Sequence, residues 1–235
     1  METTLRDRMW AATGALFVIL ILLGNAMNTA GTSTDAHPTG DRLLEDLAHQ
    51  AASSSARVGL VLEVLGFTIA MAFVGYLADV LRRSDSGRVG FAGTAVVAGA
   101  TMLAIKLTSG ASILVAHVNR ADLEPGLARV INDIGGALFV ISWLPTAVFV
   151  GAGALALHEA RLVGRPTAII GAGLGLAGVV LTLVALPDAT SGNPIAFLLG
   201  LVGILVVSVR LAVRPGIATR VDPANAGELP VATRA

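Results

Sequence analysis

Apolar runs of about twenty residues recur along most of this 235-residue chain. A helix of that length rises about 30 Å, which matches the hydrocarbon layer of a bilayer. Hydrophobic residues make up 54% of the chain and charged residues only 14%, too few to cover the surface of a soluble domain. Transmembrane β-strands would instead alternate apolar and polar residues over short segments. The sequence therefore predicts an all-α, polytopic transmembrane helical bundle.

The apolar runs predict a single transmembrane domain over residues 1–213, followed by a disordered cytoplasmic tail over residues 214–235. Six helices are expected, at about residues 10–30, 58–81, 89–118, 127–157, 167–186 and 195–213. The first helix also resembles a signal peptide, so the sequence leaves open whether it is retained or cleaved. In the fourth helix, Asp122 is a candidate N-cap, Pro125 is expected in the first turn, and Pro145 predicts a kink.

The arginines are distributed unevenly between the two sides that six helices create. Eleven lie in segments on the side of the two termini, at positions 6, 8, 82, 83, 88, 161, 165, 210, 214, 220 and 234. Only four lie on the opposite side, at positions 42, 57, 120 and 129. Positively charged loops stay in the cytoplasm. The counts therefore predict a multi-pass protein of the bacterial inner membrane with both termini cytoplasmic.

The polar segment over residues 31–57 contains an amphipathic pattern. Leu43, Leu44, Leu47 and Ala51 fall on one side of a helix that would run from about Asp41 to Ala52. Such a helix is suited to lie on the membrane surface, and the pattern fits a short solvent-exposed helix packed on loops equally well. The segment is expected to form a small extracytoplasmic helical cap.

The only lysine of the chain, Lys106, lies inside the third predicted helix. At 1.5 Å per residue, Lys106 and Glu63 both lie roughly 27–28 Å along their helices from the cytoplasmic arginines. Further polar residues fall in the same outer half of the membrane: Asn25, Asn28, Asn132 and Asp133. An ionisable residue inside the membrane is expensive, which makes this layer a candidate substrate-binding site.

The residues beside the two charges indicate which way they face. Glu63 shares its helix side with Gly59 and Gly66, and Lys106 shares its side with further small residues. Small residues allow helices to approach closely, so both charges should face the bundle. We predict an ion pair between Glu63 and Lys106, with Asp133 competing for the lysine. Such a pair either fixes the helix register only or belongs to a solute or proton site.

Two short sequence patterns have a plain structural interpretation beside a functional one. Gly173–Gly178 matches the dinucleotide-binding pattern GxGxxG, but no strand precedes it, and with Gly171 it also forms GxxxG, which favours helix packing. The word GALFVI occurs at Gly14–Ile19 and again at Gly136–Ile141. Two inverted three-helix halves would explain this repeat, but apolar segments repeat short words easily.

Metal, cofactor and enzyme signals are weak. The chain has no cysteine, and a metal site of Glu45, His49 and His117 is only a weak alternative to solvated histidines. His117 and His158 fall near opposite membrane surfaces, which disfavours a haem between them. The sequence contains no HExxH, GxSxG or Walker motif. We therefore expect no metal, no cofactor, no catalytic residues and no enzymatic activity. No basic run suggests a nucleic-acid partner.

Three stretches, LFVILILLGNAMNTAGT, VINDIGGALFVISWLPTAVFVGAGALAL and FLLGLVGILVVSVRLAVRP, carry a resemblance that covers most of the chain. The sequence resembles uncharacterised multi-pass integral membrane proteins of actinobacteria, a family of unknown function. The resemblance implies a membrane location and six helices, and it brings no activity with it.

The leading functional interpretation is the handling of a small solute or ion at the outward-facing polar layer, by a transporter or a binder. Glu63 and Lys106 would be central to that site. The alternative is an accessory or regulatory subunit of a membrane complex. Such a subunit would contact itself or a membrane-protein partner through Gly-rich helix faces. In both cases the lipid bilayer is an expected partner.

Overall fold

The computed structural model describes residues 2–32, 37–84, 89–186 and 194–213. Within these ranges the chain forms eight α-helices and no β-strand. Their bounds are α1 Glu2–Asn28, α2 Gly40–Ala52, α3 Ser54–Arg83, α4 Val89–Val118, α5 Pro125–Ile141, α6 Trp143–Glu159, α7 Arg165–Ala185 and α8 Ile195–Val213. The tail predicted to be disordered lies outside the described residues.

Six helical stretches are long and apolar enough to cross a membrane, with α5 and α6 together forming one of them. The predicted all-α, six-helix transmembrane bundle is therefore confirmed, and the chain is a multi-pass membrane protein. Two helices begin at least one turn earlier than expected. α1 begins at Glu2 and α3 at Ser54, the latter because the Ser53 hydroxyl caps it by accepting from the amide of Ala56.

The fourth span is interrupted where the kink was predicted. α5 ends at Ile141 and α6 begins at Trp143. Pro145 has no N–H to donate to the carbonyl of Ile141, so one rung of the helix is missing. At the start of this span Pro125 lies in the first turn, as expected. The prediction that Asp122 caps it is wrong, because Glu124 occupies the N-cap position and makes no side-chain capping bond.

The six spans form a closed arrangement. Each packs against the next one along the chain, and α1 also packs against α8. The Ser208 hydroxyl of α8 holds this last contact: it donates to the carbonyl of Ala11 and accepts from the amide of Ala15. α6 lies deepest, since it contacts α4, α7 and α8. The first and last spans are thus joined by buried polar contacts.

The glycines of α7 serve helix packing. A Cβ at Gly175 would lie 2.7 Å from the Cα of Gly151 on α6, so the two backbones touch. Gly171 and Gly178 also face α6, whereas a Cβ at Gly173 would meet nothing within 4 Å. The packing interpretation is confirmed for Gly171, Gly175 and Gly178, which let α6 and α7 approach closely. Gly173 plays no part in it.

The two GALFVI copies have different surroundings. A Cβ at Gly14 would lie 2.9 Å from the ring of Phe73, whereas nothing lies within 4 Å of one at Gly136. A true repeat would place its matching residues in similar contacts. The packing therefore gives no support to an inverted repeat.

The predicted cap helix is present as α2. The hydroxyl of Thr39 caps it by accepting from the amide of Arg42. Leu47 is buried, and the helix packs against α3, α4 and α5. A Cβ at Gly40 would collide with the carbonyl oxygen of Pro125, so α2 begins in direct backbone contact with α5. The apolar side of α2 therefore faces the bundle and covers one end of it, here called the α2 end.

Candidate polar site around Lys106

Lys106 extends from α4 into the interior of the bundle. The residue is 5% exposed. Its ammonium nitrogen, Nζ, lies 3.3 Å from the ring centroid of Phe139 on α5 and 4.3 Å from that of Phe197 on α8. Ring faces carry partial negative charge, so both rings attract the ammonium group. The partners of the buried lysine are thus aromatic rings rather than a carboxylate.

A hydrogen bond beside Lys106 brings α4 and α5 together. Ser109, one turn after Lys106, donates its hydroxyl to the carbonyl of Gly135 at 2.8 Å. A Cβ at Gly135 would lie 2.7 Å from the hydroxyl oxygen of Ser112, so a larger residue would require that hydroxyl to move. Phe139 follows Gly135 by one turn and therefore lies on the same side of α5, toward Lys106.

Three aromatic residues form a cluster next to the ammonium group. Phe139 meets Trp143 edge to face at 5.6 Å between centroids, and Phe197 in a tilted contact at 5.2 Å. Trp143 is fully buried. Among the described residues, no group accepts a hydrogen bond from its indole N–H. The aromatic cluster thus contains a second buried donor without a partner.

Glu63 extends from α3 and packs against α1. A Cβ at Gly24 of α1 would lie 2.8 Å from the Cγ of Glu63, so the missing side chain of Gly24 makes room for the glutamate. The amide of Asn28, one turn further along α1, lies next to the carboxylate. The carboxylate oxygen Oε1 is buried and accepts no hydrogen bond from any described residue.

The predicted ion pair between Glu63 and Lys106 is wrong. Within the described part of the chain, neither Nζ of Lys106 nor Oε1 of Glu63 has a hydrogen-bonding partner. The two charges interact only at longer range. Their depths match as expected, but the lysine turns toward the rings of α5 and α8 while the glutamate lies against α1.

The other predicted site residues divide into two groups. Asn28 is half-buried beside Glu63, whereas Asn25 and Asn132 are exposed. Asp133 does not compete for Lys106: it lies 3.8 Å from Arg129, one turn earlier on α5. The structure thus brings Asn28 and Glu63 together, places Lys106 at longer range from them, and leaves the remaining three at the surface.

A small cavity lies between this site and α2. Its volume is about 30 Å³, and its lining includes four polar side chains, those of Asn28, Gln50, Arg57 and His117. Gln50 of α2 donates a hydrogen bond to the carbonyl of Asn28 at 3.3 Å. The cavity therefore connects the underside of α2 with the residue that lies next to Glu63.

The weak metal alternative does not assemble. In the described part of the chain, no three histidine or acidic residues come together in a group that could hold a metal ion. Glu45 pairs with Arg42 on α2, the His49 ring lies next to Gly31, and His117 lines the cavity.

The sequence interpretation missed the aromatic residues Phe139, Trp143 and Phe197. One signal was available, because phenylalanine and tryptophan are scarce in this chain, with seven and two copies. Phe139 and Trp143 are also spaced by four residues in the span that carries Pro145, which places them on one helix side. Phe197 is remote in sequence, and only the packing of α8 brings it to the lysine.

The site offers two buried donors and one buried acceptor without partners. Cation–π contacts of a desolvated lysine contribute about 2 kcal/mol, less than the cost of burying an ion, which is several kcal/mol. The arrangement therefore suits a ligand that brings an anionic group to Lys106. No family model, curated protein or solved structure matches this chain. The interpretation of the site rests on its geometry.

Proposed function

We propose that this chain binds or transports a small solute or ion at the polar site around Lys106 and Glu63. One observation carries the proposal: the ammonium group of Lys106 is buried inside a membrane span with no hydrogen-bond partner among the described residues. A charge in such a place usually marks a pathway or a binding site, because it is otherwise too costly to keep.

The chemistry of the site favours an anionic solute with an apolar part. Lys106 and Trp143 both offer N–H donors to an acceptor such as a carboxylate. Phe139 and Phe197 offer ring surface to an apolar group beside it. A small monocarboxylate combines these two properties. The proposal includes no catalytic step.

The proposal includes an orientation in the bacterial inner membrane. Both termini would be cytoplasmic, and α2 would cover the outer end, because eleven arginines against four favour this direction. The site would then open outward, toward the cavity beneath α2.

The experiment measures ligand-dependent stability. Purified protein in nanodiscs is heated in the presence of sodium acetate, propionate or benzoate, at constant ionic strength with sodium sulfate. A ligand present at 100 times its Kd stabilises the folded state by about 2.7 kcal/mol, which raises the Tm of a chain of this size by roughly 5–10 °C.

Lys106→Met should abolish this shift in Tm. Arg120→Met, which removes an exposed cation just beyond α4, should preserve it. No shift with any of the three anions would contradict the proposed class of solute.

A second candidate function, an accessory subunit, is favoured by a different observation. An open groove of about 600 Å³ runs between α4 and the α5–α6 break, with Gly93, Thr101 and Pro145 in its lining. Nothing lies within 4 Å of a Cβ at Gly93, so another helix could approach closely there. Gly93→Leu should then change the mass of the detergent-solubilised assembly, measured by light scattering. If the natural chain and Gly93→Leu are both monomers, self-association through this groove is contradicted.

A further inference from the structure

We infer that the site takes up a proton together with each anion, that Glu63 binds this proton, and that the proton arrives through the cavity beneath α2. The inference rests on the proposed function and adds the coupling ion and its direction of access. Four observations support it: charge balance, a water-sized cavity, a polar connection and a small apolar void in the opposite half.

Charge balance requires a proton for each anion. Lys106 and Glu63 in their ionised forms give the site a formal charge of zero. A monoanion beside Lys106 would leave one uncompensated negative charge in a low-dielectric interior, which is costly. A proton on the Glu63 carboxylate converts it to a neutral acid and restores the formal charge to zero. Lys106 is the charged group that acts on Glu63, and Asn28 is the polar group beside it.

The cavity beneath α2 can hold water. Its volume of about 30 Å³ exceeds the ~10–15 Å³ that one water molecule needs. Asn28, Gln50, Arg57 and His117 supply more than the two polar partners that such a water requires. Water in this space can carry a proton to a carboxylate and away from it.

Asn28 connects the cavity to Glu63. It lines the cavity, and its side-chain amide lies next to the glutamate carboxylate. Leu60, also in the cavity wall, precedes Glu63 by three residues, or about 4.5 Å along α3. The carboxylate therefore lies within one helical turn of the cavity wall.

The void described in the opposite half of the bundle is small and apolar. Its volume is about 10 Å³, and its lining, which includes Phe73, Leu77, Phe149 and Val150, is entirely apolar. Empty apolar cavities do not hold water. The polar cavity beneath α2 is therefore the better route for water, and we infer that the proton reaches Glu63 from the α2 end.

The first experiment counts protons. Binding of sodium benzoate to the detergent-solubilised chain is followed by calorimetry at one pH in buffers of different ionisation enthalpy. The slope of the apparent enthalpy against the buffer enthalpy gives the protons taken up. We expect about one proton per anion for the natural chain and none for Glu63→Gln. Binding without proton uptake by the natural chain would overturn the inference and leave the proposed function intact.

The second experiment tests access and needs no anion. The chain has no cysteine, so single cysteines report without background. In nanodiscs, Leu60→Cys should react with a small charged methanethiosulfonate, and Phe73→Cys, toward the opposite end of α3, should not. Asn28→Leu should slow the reaction at position 60, whereas the exposed Asn25→Leu on the same helix should not. An unreactive Leu60→Cys beside a reactive Gln50→Cys would overturn the path. Equal reactivity at positions 60 and 73 would overturn its one-sided character.

Discussion

The ammonium nitrogen of Lys106 lies 3.3 Å from the centre of the Phe139 ring, on the neighbouring helix α5. This contact offsets part of the cost of keeping a charge within a span where no described carboxylate pairs with it. The ring face offers attraction without occupying Nζ with an oxygen or nitrogen acceptor, so the ammonium group can still donate to a ligand. The lysine is both held in place and chemically available.

Phe139→Leu should lower the free energy of unfolding by about 2 kcal/mol through the loss of the cation–π contact, in addition to the cost of repacking. Chemical denaturation in detergent measures the free energy of unfolding of the natural chain and of the variant. The exposed Phe91→Leu on α4 serves as the control and should change little. In a Lys106→Met background, the cost of Phe139→Leu should fall by the cation–π contribution. An equal cost in both backgrounds would show that the ring does not stabilise the ammonium group.

Lys106→Met should raise the free energy of unfolding by about 1 kcal/mol or more, because it removes a buried charge that has no ionic partner. Glu63→Gln and Lys106→Met should couple by less than the ~3–5 kcal/mol of a direct buried pair, because the two charges interact only at longer range. Thermal unfolding of the two single variants and the double variant measures both quantities. Losses of about 3–5 kcal/mol in the single variants, recovered in the double, would instead indicate a direct buried pair.

The fold was predictable from the sequence because the membrane imposes simple rules. Apolar length fixed the spans, and the missing N–H of Pro145 fixed the break between α5 and α6. An amphipathic stripe predicted α2, and its capping by Thr39 came from the structure. The spans, the break and α2 each depend on residues that are close together in the sequence.

The site was only partly predictable because depth along a helix does not give the direction of a side chain. Lys106 and Glu63 were correctly placed in spans facing the interior, but their separate partners were not foreseen. Phe197 belongs to α8, and only the closure of the bundle brings it to Lys106. Asp133 has a local alternative in Arg129, four residues away on the same helix, and this contact prevails over the distant lysine.

Gly175→Ala should destabilise the bundle by about 1–3 kcal/mol, the usual cost of overpacking. Its new Cβ would lie 2.7 Å from the Cα of Gly151 and 2.8 Å from the carbonyl oxygen of Ala147. These are backbone atoms and cannot move aside cheaply. Gly173→Ala, two residues away on α7, is the matched control. It meets nothing within 4 Å and should stabilise the helix by up to about 1 kcal/mol. Equal melting temperatures for the two variants would show that α6 and α7 do not pack as described.

The last prediction concerns orientation and rests on the arginine count of eleven against four. A single cysteine at Ser84, at the end of α3, should be protected from an impermeant maleimide in intact bacterial cells. A single cysteine at Asp122, between α4 and α5, should be labelled. Permeabilised cells provide the control, since both positions should then react. In a six-span bundle these two segments lie on opposite sides of the membrane, and positively charged segments stay in the cytoplasm.

Labelling at Ser84 with protection at Asp122 would reverse the orientation and turn the cavity beneath α2 toward the cytoplasm. Labelling of both in intact cells would contradict the six-span topology itself.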